Sequence, residues 1–151
     1  MTTKCIVESK RVRVPDAPSI VEMFIHDCPG HSALKPITEK SITECEYLIV
    51  CYDCTNSASF QAVDSWISMF SRQTMVGLQQ ISGALVALHS GEGTPAVNVS
   101  LGKDKAAQYG LYFCESNGIR GTDTDIPFSY IVHEAHKEKS ASMSDLVDGL
   151  E

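Results

Sequence analysis

The chain has 151 residues, with twelve Lys and Arg against nineteen Asp and Glu, and a formal net charge of -7 at pH 7. The apolar content of 43% supports a hydrophobic core and excludes wholesale disorder. Excess negative charge repels phosphates, so we expect no nucleic-acid partner. The sequence contains no signal peptide and no apolar run of the roughly 18 residues that span a membrane, and it has no C-terminal cysteine to prenylate. We therefore expect a cytoplasmic protein without a direct membrane anchor.

Alternating β-branched residues predict a β-hairpin at the start of the chain. Its strands are Ile6 to Val14 and Ile20 to Ile25, and Pro15-Asp16-Ala17-Pro18 forms the turn between them. The later elements are predicted to be a helix over 32–43, a strand over 47–52, a helix over 57–70, a strand over 84–88, a loop over 90–100, a helix over 101–109, a strand over 111–114 and a helix over 127–139. This alternation predicts an α/β sandwich with a mostly parallel sheet over residues 1–139, followed by a polar tail over 140–151.

Six cysteines are present, and most of them lie in apolar runs, where cysteine packs as a small hydrophobic side chain. Without a secretion signal, reduced thiols are expected rather than a disulfide framework. Cys51 and Cys54 have the spacing of a redox motif, but they span a strand end instead of the helix start that would activate a thiol. We therefore predict that both pack in the core.

Four segments occur in an order and at a spacing that match one family of nucleotide-binding proteins. They are Asp27-Cys28-Pro29-Gly30-His31, Tyr52-Asp53-Cys54-Thr55-Asn56, the strand that ends in His89-Ser90-Gly91-Glu92, and Glu115-Ser116-Asn117. These segments resemble the Asp-x-x-Gly loop, the Rab-type strand-to-helix junction, the Asn-Lys-x-Asp position and the Glu-x-Ser-Ala segment of the Ras/Rab small GTPases. The resemblance implies a Ras-like P-loop NTPase sandwich that binds GTP or GDP with Mg²⁺.

The resemblance also assigns roles to individual residues. The nucleotide-binding candidates are Thr2, Asp27, Gly30, His89, Glu92, Ser116 and Asn117. Thr2 and Asp27 would hold the magnesium ion, and the Gly30 amide would contact the γ-phosphate. His31 stands where Ras-like enzymes carry the glutamine that orients the attacking water, so it is the catalytic candidate. A solvent-facing loop histidine is an equally good interpretation of His31.

The sequence departs from a working GTPase in two respects. It lacks Gly-x-x-x-x-Gly-Lys-[Ser/Thr], since its one Gly-Lys pair, Gly102-Lys103, is followed by Asp104. It also has His89-Ser90-Gly91-Glu92 in place of the guanine-reading Asn-Lys-x-Asp. We therefore expect the chain as given to bind GTP poorly or not at all and to be inactive in hydrolysis.

By resemblance, the first strand, phosphate-binding loop and first helix of the family precede Met1-Thr2-Thr3. Two explanations stay open: the sequence starts at an internal methionine of a longer protein, or the protein lacks the unit. Because the first strand lies in the middle of the sheet in this fold, its loss would leave two central edges and a hole under the last helix. This cost favours the first explanation.

Further features are similar to one group within the superfamily, the Rab-like GTPases of the intraflagellar transport B complex. They are Val14-Pro15-Asp16, Asp125-Ile126-Pro127-Phe128 and the tail without a lipid site. The resemblance implies a role in the cilium or flagellum, as a switch or a structural piece, with other subunits of that complex as partners. A small β-sandwich subunit would dock on the last helix and the tail, where Leu146, Val147 and Leu150 are apolar. The alternative is a pseudo-GTPase scaffold or adaptor in intracellular vesicle trafficking.

Overall fold

The structure is a computed structural model that describes the backbone of residues 4–14, 17–89, 91 and 93–148, and the side chains of these residues as far as 142. Its helices and strands in chain order are β1 (Ile6–Arg13), β2 (Ile20–Asp27), α1 (Lys35–Ser41), β3 (Tyr47–Asp53), α2 (Ser57–Gln61), α3 (Val63–Thr74), β4 (Ser82–Leu88), α4 (Val99–Tyr109), β5 (Tyr112–Ser116) and α5 (Ile126–Asp148). Short 3₁₀ turns lie at Ser32–Leu34 and Leu78–Gln80.

The predicted hairpin is confirmed. β1 and β2 pair in antiparallel register from Ile6 opposite Asp27 to Arg13 opposite Ile20. The predicted α/β architecture is also confirmed, because β3, β4 and β5 form a parallel sheet in the order of the chain. Helices connect these parallel strands, as parallel pairing requires.

The parallel sheet is covered on both faces. On one face Leu85 and Ala87 of β4 pack with Ile67 and Phe70 of α3 in the larger hydrophobic cluster. On the other face the buried β4 residues form a second cluster that the start of α5 covers. β4 is therefore almost wholly buried, which explains its uninterrupted apolar sequence. None of the described helices combines the length and the apolar character needed to cross a bilayer.

The hairpin and the parallel sheet are separate sheets, and a cleft of about 910 Å³ lies between them. β2 forms one wall and β3 the other, while Phe128, Ile131 and Ala135 of α5 line its base. The amino ends of the strands meet one stretch of α5: Ile20 and His136 line a common cavity, and the Tyr47 hydroxyl lies 2.6 Å from a Glu138 carboxylate oxygen.

Asp27 and Cys51, near the carboxyl ends of β2 and β3, interact electrostatically across the cleft. Because the amino ends of both strands meet α5 and their carboxyl ends meet each other, the two strands run in the same direction. The cleft thus has the place and direction of one missing parallel strand. The expectation of two central edges and a hole against the last helix is confirmed.

Cys51 corrects one prediction about the core. Cys54 is buried, as expected, but Cys51 is exposed. Cys51 lies on the β3 edge that faces the cleft, where no described strand covers it. An apolar run predicts burial for a strand with neighbours on both edges. β3 has a described neighbour on one edge only, so the local pattern was misleading for Cys51.

Some predicted boundaries are wrong. Ala62 separates α2 from α3 where one helix was predicted, and α4 begins at Val99 because the Asn98 side chain caps it by accepting from the Ser100 amide. β5 continues two positions further, to Ser116.

The last helix continues beyond Lys139 to Asp148, so the backbone of residues 140–148 is helical and does not form a separate tail. This stretch contains neither Gly nor Pro, so nothing in it stops the helix. The side chains of Leu146 and Val147, and all of Leu150, lie outside the described residues.

The Gly-Lys pair of α4 has a packing role. A Cβ built on Gly102 would collide with the Tyr52 hydroxyl and lie 2.7 Å from Phe113 Cε2. Glycine therefore allows α4 to approach the sheet closely. Because Gly102 lies inside a helix and is buried, the pair forms no phosphate-binding loop.

We predict that Gly102→Ala destabilises the domain by about 1–3 kcal/mol through overpacking. In an exposed helix the same change would stabilise by about 1 kcal/mol. Chemical unfolding of both chains measures the difference. Lys103→Ala, on the exposed face of α4, is the matched control and should change the free energy of unfolding by less than about 0.5 kcal/mol. Equal stability of Gly102→Ala and the parent chain would contradict the packing argument.

Candidate functional site

The residues singled out in the sequence collect at the carboxyl edge of the strands. Asp27 ends β2, Asp53 ends β3, His89 follows β4, and Ser116 ends β5. Ligands of open parallel sheets bind at this edge, where the loops after the strands converge. The cleft divides the edge into a hairpin side with Asp27 and a sheet side with His89 and Ser116.

On the hairpin side, the loop after β2 has a firm anchor and an open tip. Pro29 is among the most fully buried side chains of the chain, whereas Gly30 and His31 are exposed. A Cβ on Gly30 would meet no atom within 4 Å, so its backbone is open to a ligand. Asp27 is exposed and lines the end of the cleft. These features fit the magnesium and phosphate end of a nucleotide site.

His31 has a local structural contact in addition to its candidate role. Its Nδ1 accepts a hydrogen bond of 3.2 Å from the Ala33 amide and so caps the turn at Ser32–Leu34. In a neutral ring with Nδ1 as acceptor, Nε2 carries the proton. This tautomer can donate a hydrogen bond to a water but cannot take a proton from it at Nε2. The geometry is therefore compatible with positioning water and unsuited to general-base work.

On the sheet side, His89 pairs with Glu115, which belongs to the Glu-x-Ser-Ala segment but was not among the nucleotide-binding candidates. His89 Nε2 lies 2.9 Å from Glu115 Oε2, and the His89 amide donates to the Ser116 carbonyl at 2.8 Å. Glu115 is a partly exposed member of β5, the strand paired with β4. The strand register, with Leu88 opposite Ser116, is the signal that could have identified it. The pair engages one ring nitrogen of His89 and one carboxylate oxygen of Glu115 with each other.

The loop that follows β5 engages Asn117, and Ser116 lies beside it at the end of the strand. Ser116 is buried. The Asn117 side-chain oxygen accepts hydrogen bonds from the Ile119 and Arg120 amides at 3.1 and 3.0 Å, and the Asn117 backbone pairs with Thr122. Asn117 therefore closes a tight turn. Its side chain is directed to its own loop instead of to a base.

The Tyr-Asp-x-Thr-Asn segment also stabilises a loop. Asp53 Oδ1 accepts from the Thr55 amide and hydroxyl at 2.8 and 2.7 Å, and Asn56 caps α2. Burial, followed by the Glu115 and Asp53 carboxylates, raises the pKa of the Cys54 thiol. A protonated, buried thiol is a poor nucleophile. The segment therefore holds the loop after β3 in place, and its Cys54 thiol is not activated for redox chemistry.

The residues therefore fit a bound nucleotide only in part. Asp27, Gly30 and His31 are brought together in an open loop. On the other side of the cleft the side chains of His89 and Asn117 are engaged within the chain, and Ser116 is buried. Thr2 and Glu92 lie outside the described residues. Within the part of the chain that the structure describes, no group of three or more His, Cys, Asp or Glu side chains is placed to hold a metal ion. A magnesium ion at Asp27 would thus depend on phosphate oxygens and water molecules for most of its ligands.

The parallel sheet, the Asp-x-x-Gly loop after β2 and the polar carboxyl edge define a Ras-like α/β domain of the small-GTPase class. The Ras family profile matches residues 2–137. The chain belongs to the Ras family.

Its relatives include Rab proteins and intraflagellar transport proteins. The human Ras-related protein Rab-26 is 25% identical over 127 residues, which cover 83% of this chain and 48% of that protein. The intraflagellar transport protein 27 homolog of Bos taurus is 28% identical over 151 residues, which cover 97% of this chain and 80% of that protein. The homolog of the same name in Trypanosoma brucei brucei is 29% identical over 132 residues, which cover 87% and 69%. The chain thus spans about half of Rab-26 and a larger share of the transport proteins.

Proposed function

We propose that the chain is a Rab-like subunit of the intraflagellar transport machinery and works in a cilium or flagellum. The observation that carries the proposal is the alignment with the bovine intraflagellar transport protein 27 homolog, which extends over 97% of this chain and 80% of that protein. The Rab-26 alignment covers only 48% of its protein. A similarity along almost the whole chain supports a shared role better than a similarity of the central fold alone.

We further propose that its role is to bind protein partners. The structure supports this through α5. Ile131, Val132 and Ala135 are buried against the sheet, whereas the side chains from Lys137 to Ser142 are exposed. The carboxyl half of α5 therefore extends beyond the stretch of the helix that packs against the sheet. A small β-sandwich subunit of the transport complex is the partner that we propose for this half.

The nucleotide site supports the same view. The 151 residues contain no Gly-x-x-x-x-Gly-Lys-[Ser/Thr], and the base side of the edge is occupied by internal hydrogen bonds. We propose that these residues alone neither bind nor hydrolyse GTP to a useful extent. Assembly then depends on surfaces of the fold, with α5 as the principal one.

The test is co-purification of the tagged chain from ciliated or flagellated cells. We expect transport-complex subunits to be recovered with the full chain and lost when Leu146, Val147 and Leu150 are replaced by Ala. Alanine preserves helix propensity, so the helix should remain while the apolar contacts are removed. Each buried apolar side chain contributes about 1.5–3 kcal/mol before ordering costs.

The matched control replaces exposed polar residues of the same helix, Lys137 and Lys139, by Ala. This variant should retain the partners. Equal recovery of the same subunits with the apolar positions replaced would show that the end of α5 is not the docking element. Recovery of no transport subunit with the unaltered chain would contradict the proposed function itself.

A second candidate is a pseudo-GTPase scaffold or adaptor in intracellular vesicle trafficking. The similarity to Rab-26, at 25% identity over 83% of this chain, favours it. The same co-purification distinguishes the two candidates, because a trafficking adaptor would recover vesicle-associated proteins in place of ciliary subunits.

A further inference from the structure

Two cysteines meet where the hairpin joins the Asp27–Gly30 loop. Cys5 precedes β1 and Cys28 follows β2, and their Sγ atoms lie 3.6 Å apart. Ile6 and Asp27 are the last partners of the antiparallel ladder, and continuation of the same register beyond them places Cys5 opposite Cys28. Opposed residues of antiparallel strands have Cα atoms about 4.5–5.5 Å apart, which lies within the range that a disulfide bridges.

We propose that Cys5 and Cys28 form a redox-sensitive disulfide site. All six cysteines are free thiols in the structure. Bond formation requires the sulfurs to move from 3.6 Å to about 2 Å, a rotation of side chains whose backbones are already opposed. Neither side chain is fully buried, so a small oxidant can reach the pair.

The oxidant that we name is a low-molecular-weight disulfide such as oxidised glutathione. The Cys5 thiolate attacks one of its sulfurs, forms a mixed disulfide and releases one small thiolate, which takes up a proton. The Cys28 thiolate then attacks the Cys5 sulfur, forms the Cys5–Cys28 bond and releases the second small thiol. Two protein thiols are oxidised, and one small disulfide is reduced to two thiols.

The consequence is a covalent link between the start of β1 and the loop that carries Asp27 and Gly30. In the reduced chain this end of the hairpin is held by the last pair of the ladder, Ile6 with Asp27. A disulfide would prevent the loop from separating from β1, and it would stabilise the hairpin by restricting the unfolded chain. The bond can form whether or not the chain works in intraflagellar transport.

The test uses the purified, reduced 151-residue chain treated with oxidised glutathione. Alkylation of remaining thiols and peptide mass mapping then identify the linked pair. We expect the loss of two free thiols per chain, a Cys5–Cys28 cross-linked peptide as the principal product, and a higher melting temperature for the oxidised form. Cys5→Ser and Cys28→Ser should each abolish the cross-link, while Cys51→Ser, at an exposed cysteine in the cleft, should leave it unchanged.

A second measurement guards against a variant that simply fails to fold. The unaltered chain is oxidised with and without denaturing urea. Native geometry should favour Cys5–Cys28, whereas the unfolded chain should give a mixture of pairs. A native chain that gives the same mixture, a principal link from Cys45, or glutathione retained on Cys5 without closure would overturn the proposal.

Discussion

The 151-residue chain is expected to show no saturable binding of GTP or GDP at submicromolar concentrations. Phosphate-binding loops supply backbone amides and a lysine that together provide most of the affinity for the triphosphate. The 151 residues contain no such loop, and Gly102 of the one Gly-Lys pair is buried in a helix, where it lies against Tyr52 and Phe113. Titration with a fluorescent guanine nucleotide, with and without magnesium, measures the affinity. Removal of magnesium should make no difference.

The positive control for this titration is a chimera that carries a strand, phosphate-binding loop and helix of an active Ras family member before residue 1. If the cleft accepts that strand, the chimera should regain magnesium-dependent binding, and Asp27→Asn should weaken the binding it regains. Tight, magnesium-dependent binding by the unextended chain would show that the site assignment is wrong.

Much of the fold could be predicted because its elements follow from local patterns. Alternation marks the hairpin, and the apolar run from Tyr47 to Tyr52 marks a parallel strand, although only Val50 and Tyr52 in that run are buried. The continuation of the last helix from Lys139 to Asp148 was missed because residues 140–148 are polar, although they contain neither Gly nor Pro to stop the helix. Cys51 was misjudged for the opposite reason. Its exposure depends on a strand position that is distant in sequence.

The candidate site could be located more readily than it could be interpreted. Strand ends predict which residues meet at the carboxyl edge, and the structure brings Asp27, His89 and Ser116 to that edge. The contacts of His31 with the Ala33 amide and of Asn117 with the Ile119 amide depend on loop backbone geometry. Single-sequence patterns do not encode such geometry. The role of each residue in nucleotide binding stays a prediction.

The chain expressed alone is expected to be of low stability and prone to aggregation. β2 and β3 present unpaired edges across a cleft of about 910 Å³, and unpaired edges recruit strands of other molecules. Phe24, on the cleft wall, is 66% exposed. Domains have a net stability of only about 5–15 kcal/mol. The free energy lost by leaving the apolar side chains of this cleft uncovered is therefore a large fraction of the total stability.

Hydrogen exchange should show which part of the chain is least stable. The described contacts between the hairpin and the rest of the chain are made chiefly through α5, whereas β4 is enclosed on both faces. We therefore expect hairpin amides to exchange faster than those of β4. A cooperative thermal transition well above ambient temperature in a monomer, with equal protection of hairpin and sheet, would contradict this expectation.

A matched pair of variants separates the cleft from the core. Phe24→Ser should lower binding of an apolar dye and slow aggregation, while it changes the free energy of unfolding by less than about 0.5 kcal/mol, because Phe24 is already exposed. Leu85 is fully buried in the larger core cluster and does not line the cleft, so Leu85→Ala should cost about 2–5 kcal/mol and increase dye binding. Opposite effects of the two substitutions on dye binding would assign the aggregation to the open cleft. If Phe24→Ser left dye binding and aggregation unchanged, the surface responsible for aggregation would lie elsewhere on the domain.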